Sequence, residues 1–281
     1  EIADRDWSSD VCSSDLSYAT ERSFSLEEVQ ARIESGSPYV IRLASSGNPD
    51  HPASITVEDG IRGTLSMPEN FQDVVILKTT GLPTYHFAHV VDDHLMRTTH
   101  VIRGEEWLSS LPIHVELFQK LQFPLPVYCH TSVLMKVDEN GNKRKLSKRK
   151  DPELALDYYK KLGYHPLAMK EYLLTILNSD YEEWRSAHPD ASWESFAFSV
   201  EKMSRSGALF DLNKLNDVSK DTLVRIPAEE LAAFLRQWAA DYRPALSATL
   251  KDDQLIRILD LGRSGKKPAD QIGRASCRER V

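Results

Sequence analysis

Long apolar runs are missing from this 281-residue chain, and none approaches the ~20 residues that a membrane-spanning helix needs. Its first stretch has no basic n-region leading into an apolar h-region, so no secretion signal is read there. Cysteine is scarce, three in all. Two of them, Cys12 and Cys277, lie in the terminal segments DWSSDVCSSDL (6–16) and IGRASCRERV (272–281). Neither segment has helix or strand periodicity, and both read as translated sequencing-adapter DNA, to be set aside like a fusion scar. The natural protein is expected to extend beyond both ends. Cys129 is then left alone, and one thiol closes no internal disulfide and builds no thiolate metal site. A reducing cytoplasm fits. Positive charge is also in deficit: the formal net charge of −7 argues against a protein that coats nucleic acid non-specifically. Internal repeats and low-complexity segments are absent.

What is present is an ordinary globular composition, 41% hydrophobic and 27% charged, at a length suited to about two domains. Against the acidic balance stands one basic loop, GNKRKLSKRKDP (141–152), with Lys143, Arg144, Lys145, Lys148, Arg149 and Lys150 around Ser147. A solvated turn is the ordinary reading of such a run. The alternative is a loop that closes on a polyanion such as a nucleotide triphosphate.

Ser25-Leu26-Glu27-Glu28 has capping-box spacing and predicts a helix to about Gly36. PYVIRL (38–43) and DVVILK (73–78) predict short strands, with turns at Gly60 and Gly63 between them. A helix is expected from Gly81-Leu82-Pro83-Thr84 to about Leu95, with Ala88, Val91 and Leu95 on a buried stripe and Tyr85, His89 and Asp92 on a polar face. THVIR (99–103) reads as a buried strand, and Leu111, Val115, Phe118 and Leu121 mark a helix that Ser110 can cap. Val127–Met135 is apolar and leads to a tight turn at Asn140-Gly141. Beyond the basic loop, Asp151-Pro152 reads as a helix start, Gly163 as its end, and the rest as helical. Helices are read at 167–178, 228–242 and 252–262. The alternation predicts a mostly parallel sheet with covering helices, followed by an all-helical part.

In an open α/β sheet, ligands bind beyond the carboxyl ends of the strands. Arg103 sits at such an end beside Gly104, where a guanidinium could hold a carboxylate through two parallel bonds. The competing reading is a surface arginine paired with Glu105 or Glu106. His86 and His89, with Asp92 and Asp93 close behind, invite a metal reading, but no third ligand is apparent and no metal site is expected. Trp107 is either core or a platform for a base. Lys145 and Lys148 flank Leu146-Ser147 on a hinged loop, a placement suited to phosphoryl chemistry.

KLSKR at 145–149 resembles the second signature loop of class I aminoacyl-tRNA synthetases, and GLPTYHFAHVVDDHLMRTTHVIRGEEWLSSLPIH (81–114) closely resembles the glutamyl-tRNA synthetase family. The resemblance covers roughly residues 24–270. It implies a partial α/β Rossmann-type catalytic domain followed by an all-helical stem-contact and anticodon-binding region. Within it, residues 17–80 would end an acceptor-binding insertion and return to the sheet. Residues 81–150 would be the second half of the catalytic domain, 151–225 the stem-contact region and 226–271 the start of the anticodon-binding domain. Residues 1–16 and 272–281 stay outside as adapter-derived.

By this resemblance Tyr85, His89 and Arg103 bind glutamate, and Glu106, Trp107 and the Leu134 backbone meet ATP. Lys148 stabilises the triphosphate with Lys145 in support. The implied reaction is ATP-dependent formation of glutamyl-adenylate and transfer to tRNA(Glu). Mg²⁺ is held mainly through ATP, without a structural metal. A cytoplasmic monomer off the membrane is expected. Alternatives are a glutaminyl-tRNA synthetase, a short tRNA-modifying glutamyl transferase, and a non-catalytic tRNA-binding fragment. Two departures stand out: His89 replaces the asparagine of many relatives, and no His-x-Gly-His segment is present. Given that missing signature, the isolated 281-residue chain is expected to form no glutamyl-adenylate. ATP–pyrophosphate exchange assays on the purified chain check this, and a clear exchange signal would overturn it.

Overall fold

The structure is a computed structural model that describes residues 19–138, 140–147 and 149–261. The chain divides between Thr131 and Ser132 into two compact units. The terminal segments 6–16 and 272–281 lie outside the described residues, as does Lys148.

In the first unit, helix α1 (Leu26–Glu34) opens with the expected capping box. Ser25 Oγ accepts from the Glu28 amide, and the Glu28 carboxylate accepts from the Ser25 amide. Strands β1 (Ile41–Arg42) and β4 (Val75–Leu77) pair antiparallel and are shorter than the apolar runs that contain them. Between them the sequence reading missed a hairpin, β2 (Ser54–Asp59) with β3 (Gly63–Pro68). Helix α2 (Tyr85–Leu95), strand β5 (His100–Gly104), helix α3 (Leu111–Lys120) and strand β6 (Val127–Thr131) complete the unit.

The sheet order is β3-β2-β6-β5, with β2 and β5 each parallel to β6. β3 turns back antiparallel because three residues join it to β2, too few for a crossover. The sheets are therefore mixed, not mostly parallel. The core is Leu43, Val57, Val90, Leu111, Ile113, Val115, Leu117, Phe118 and Tyr128.

Three local expectations need correction. Val90 is the buried residue of α2, whereas Leu95 is 71% exposed, so the stripe is rotated by one position from the predicted one. β5 is not buried as expected: among the described residues it lies at the sheet edge, and Ile102 is 56% exposed. Ser110 precedes α3 without a side-chain cap.

In the second unit, β7 (Leu134–Val137) pairs antiparallel with β8 (Lys143–Lys145) and parallel with β9 (Ala208–Leu209). Gly141 supplies the positive φ of +83° that the β7–β8 turn requires, and Asp138 Oδ1 accepts from the Asn140 and Asn142 amides. Helices α4 (Leu156–Leu162), α5 (Pro166–Leu177), α6 (Tyr181–Ala187), α7 (Leu212–Arg225) and α8 (Ala228–Tyr242) follow. The final described helices are α9 (Pro244–Ser247) and α10 (Asp252–Asp260). This part is helical apart from β9 and several 3-10 turns. Tyr159, Tyr172 and Leu215 form one core, and Ile226, Ala228, Leu231, Ala232 and Leu259 another. Glu171, buried on α5, accepts from Arg185 at 3.0 Å and Arg225 at 2.6 Å, which compensates its charge.

Gly163 ends α4 in the left-handed conformation, φ +83°. A Cβ there would stand 3.1 Å from Trp238 Cε2, on a ring that Nε1–H ties to the Lys160 carbonyl. Gly163→Ala should cost ~1–2 kcal/mol from backbone strain alone. Urea unfolding followed by tryptophan emission measures it; a variant as stable as the parent contradicts the reading.

Candidate active site

Arg103 lies near the C-terminal end of β5, in direct register with His130 on β6. The side-chain period of two puts Tyr128 on the same face as His130. Its ring lies under the guanidinium, with Cζ 4.7 Å from the ring centroid. Arg103 Nε–H donates to His130 Nε2 at 3.0 Å, and Nη1–H to His114 Nδ1 at 3.2 Å. A guanidinium has donors only, so both imidazole nitrogens that meet it must be acceptors. The pattern thereby assigns both tautomers. His130 carries its proton on Nδ1 and donates to Asp59 Oδ2 at 2.6 Å, while His114 carries its proton on Nε2 and donates to His86 Nδ1 at 2.9 Å. His114 and His130 are fully buried, and Asp59 nearly so.

Asp59 sits where β2 ends. Its Oδ1 accepts from the Ile61 and Arg62 amides at 2.9 Å each, and its Oδ2 from the His130 amide at 3.1 Å. Burial alone would raise its carboxyl pKa, but the hydrogen bonds from His130, Arg62 and Ile61 outweigh that and hold it below the ordinary value. Arg62 also donates to the His130 carbonyl and pairs with Glu105. Glu105 is thus committed to Arg62, and the reading of Arg103 as a surface partner of Glu105 or Glu106 is not what forms. The room beside Gly104 is filled by Glu106, whose carboxylate occupies the place where a Cβ would project.

The wall opposite comes from α2 and the 3-10 turn after β5. Tyr85 stacks on His89, centroids 5.7 Å apart, and leans on Trp107 at 4.6 Å. His89 Nε2 accepts from the Tyr128 hydroxyl at 2.9 Å, and its Nδ1 lies 2.8 Å from Asp93 Oδ2. His89 is thus hydrogen-bonded through Nε2, its Nδ1 lies close to Asp93 without a hydrogen bond to Oδ2, and it stacks under Tyr85. His86 Nδ1 meets His114 Nε2, and His89 Nε2 meets the Tyr128 hydroxyl. Among the described residues no group of three or more His, Cys, Asp or Glu could hold a metal ion.

Burial first, and the Arg103 cation after it, favour the neutral form of His86, His89 and His114. His114 is pushed down to about 2, first by burial and then by its proximity to His89 and Arg103. His86 and His89 are lowered for the same leading reason. Burial pushes the Tyr128 hydroxyl up, so it stays a donor.

Leu134 and the KLSKR loop belong to the second unit. The Leu134 carbonyl accepts from the Leu146 amide at 2.9 Å. Asp151 does not cap a helix through its side chain. It instead binds Arg144 through two bonds of 2.6 Å, Lys136 at 3.0 Å and the Ser147 amide at 2.8 Å. Those contacts, the Arg144 bond foremost, hold its carboxyl well below the usual range. Lys145 and its neighbours Lys143, Arg149 and Lys150 are exposed, whereas Leu146 is buried.

Sequence reading thus picked out Tyr85, His89, Arg103 and Trp107, which the structure brings together. It missed Asp59, His114, Tyr128 and His130, and weighed His86 only as a metal ligand rather than as the partner of His114. The signal was there: a histidine inside the apolar runs VYCHT and LPIHVELF needs a buried partner.

Comparison with known proteins adds the following. The family model for tRNA synthetases class I (E and Q), catalytic domain, matches residues 7–217, a span that takes in residues 7–16. The glutamate–tRNA ligase of Acetivibrio thermocellus is 59% identical over 257 residues, covering 91% of this chain and 46% of that protein. That of Clostridium perfringens is 50% identical over 253 residues, covering 89% and 46%. A crystal structure of a glutamate tRNA ligase from Elizabethkingia meningosepticum, in complex with its amino acid, superposes with a TM-score of 0.67 at 28% identity, covering 86% of this chain and 49% of that one. The chain spans about half the length of the curated relatives it matches.

Neutral buried histidines make the fold acid-sensitive. Below pH 6.5 the unfolded chain binds a proton that folded His114 refuses until about pH 2, so stability falls as pH drops, by roughly 1.4 kcal/mol per pH unit for that one group. His86 and His89 act in the same direction. Urea midpoints at pH 7.5, 6.5 and 5.5 should decline steadily, and less steeply in His114→Gln. A flat profile rules out neutral burial.

Proposed function

This chain belongs to the class I tRNA synthetases (E and Q), and we propose that it is a segment of a glutamate–tRNA ligase. One observation carries the reading most directly. A guanidinium stands at the end of β5 with Nε and one Nη1 hydrogen donated to neutral imidazoles and Nη2 in only a 3.5 Å contact with the Trp107 carbonyl, so that Nη2 and the second Nη1 hydrogen can meet a carboxylate beside Tyr85 and Trp107. Glutamate offers that carboxylate in its side chain.

In this reading Arg103 grips the side-chain carboxylate and Tyr85 walls the amino acid. His89 supports the Tyr85 ring, with both of its nitrogens turned to Tyr128 and Asp93. Trp107, Glu106 and the Leu134 backbone contribute to the ATP site. The glutamate α-carboxylate attacks the α-phosphorus of ATP, pyrophosphate leaves, and the terminal ribose of tRNA then attacks the activated carbonyl. Lys148 and Lys145 of the loop neutralise the charge that gathers on the departing phosphates. Such donors stabilise the transition state more than the ground state. Magnesium would be carried by the nucleotide, since no carboxylate or histidine trio among the described residues is placed to hold it, and it would supply charge neutralisation on the phosphates.

Residues 151–225 are assigned to the stem-contact region and 226–271 to the start of an anticodon-binding domain. The helices α8 and α10 favour the glutamyl over the glutaminyl branch, where a β-barrel would be expected after residue 226. tRNA(Glu) is the corresponding partner.

Lys148→Ala in a protein completed to the length of its relatives should reduce ATP–pyrophosphate exchange ~100–1000-fold. Near-normal exchange would leave the loop as no more than a basic turn.

A further inference from the structure

Arginine is flexible, and a loose guanidinium loses side-chain entropy each time it grips a ligand. Arg103 is held beforehand, and the manner of holding is unusual. A carboxylate partner would orient the guanidinium but would also cancel its charge. Here both side-chain acceptors are neutral imidazole nitrogens: His130 Nε2 takes Nε–H and His114 Nδ1 takes Nη1–H. The nearest anion in the chain of bonds, Asp59, stands one residue behind, on the far nitrogen of His130. Tyr128 supports the planar cation from below through its ring face. With Nε–H taken, the side-on fork of Nε and Nη2 is closed, and the two-pronged edge that remains is Nη1 with Nη2. The third contact of the guanidinium, Nη2 to the Trp107 carbonyl, is 3.5 Å and weak.

We propose that Asp59, His130 and His114 are positioning residues for Arg103: they orient the guanidinium through neutral acceptors, leave its positive charge undiminished, and restrict a bound carboxylate to end-on approach across Nη1 and Nη2. This rests on the reading of Arg103 as the anchor for the glutamate side chain. Asp59 fixes the tautomer of His130, since an ionised carboxylate can only accept and so requires the proton on Nδ1. His86 does the same for His114 from the other end, by accepting its Nε2 proton.

The test compares His130→Leu with His130→Gln and His130→Glu, in a protein completed to the length of its relatives. Michaelis constants for glutamate and for ATP are read separately by ATP–pyrophosphate exchange. His130→Leu removes the acceptor and should raise KM for glutamate ~10–100-fold with KM for ATP unchanged. His130→Gln keeps a neutral acceptor and should recover most of the loss. His130→Glu keeps an acceptor but cancels charge, and should bind glutamate as poorly as His130→Leu. Equal KM values across the three, or KM for glutamate and ATP rising together, overturn the inference.

Arg103→Ala separates the two levels of argument. If it leaves KM for glutamate unchanged, the anchor assignment fails and the positioning role goes with it. If it raises KM strongly while His130→Leu does not, only the positioning role fails. A measurement on the 281-residue chain itself needs no variant: nitrogen-15 NMR of the histidine rings should find His130 protonated at Nδ1 and His114 at Nε2. The opposite tautomer at either ring refutes the arrangement even where a variant fails to fold.

Discussion

A guanidinium can donate hydrogen bonds but cannot accept them, and the interior of the first unit is arranged around that one-way property. Arg103 projects from the sheet into a space lined by residues of β6, α2 and α3. Every polar group that meets it has to present a lone pair. That requirement propagates outward through His130 to Asp59 and through His114 to His86, so four side chains far apart in sequence take protonation states dictated by one cation. The aromatic residues serve the same centre differently. Tyr128 and Trp107 offer π-faces, which attract the cation without consuming a donor.

The basic loop obeys the opposite rule. There one carboxylate, Asp151, gathers donors: both terminal nitrogens of Arg144, the Lys136 ammonium and the Ser147 amide. The loop's cations therefore divide into two kinds. Arg144 is structural, since its charge is spent on fixing the loop's return. Lys143, Lys145, Arg149 and Lys150 remain exposed, on a segment anchored at Leu146 and Asp151. A run that looks uniform in sequence is divided, in pairing and exposure, by a single acid that follows it.

What the sequence made legible was mostly local. The capping box of α1, the left-handed Gly163 and the Asn140-Gly141 turn are each set by residues within a few positions of one another, and each forms as read. Arg103, Tyr85, His89 and Trp107 stood out through a family resemblance, and they do converge. The β2–β3 hairpin was lost because Gly60 and Gly63 were taken as turns between more distant strands, when they bracket one tight return. The parallel expectation failed with it. Asp59 and His130 could not be paired from the sequence, since 71 residues separate them and nothing in EDGIRG advertises a partner. Polar residues in apolar runs announce that a partner exists, but the fold alone decides which.

β5 carries Arg103, and among the described residues it is hydrogen-bonded along one flank only, to β6. On its other flank no ladder partner lies among the described residues. Rigidity at this point is supplied crosswise, by an arginine stitched to a neighbouring strand and a neighbouring helix at once. A polar side chain here ties strand to strand and strand to helix, alongside the main-chain ladder to β6.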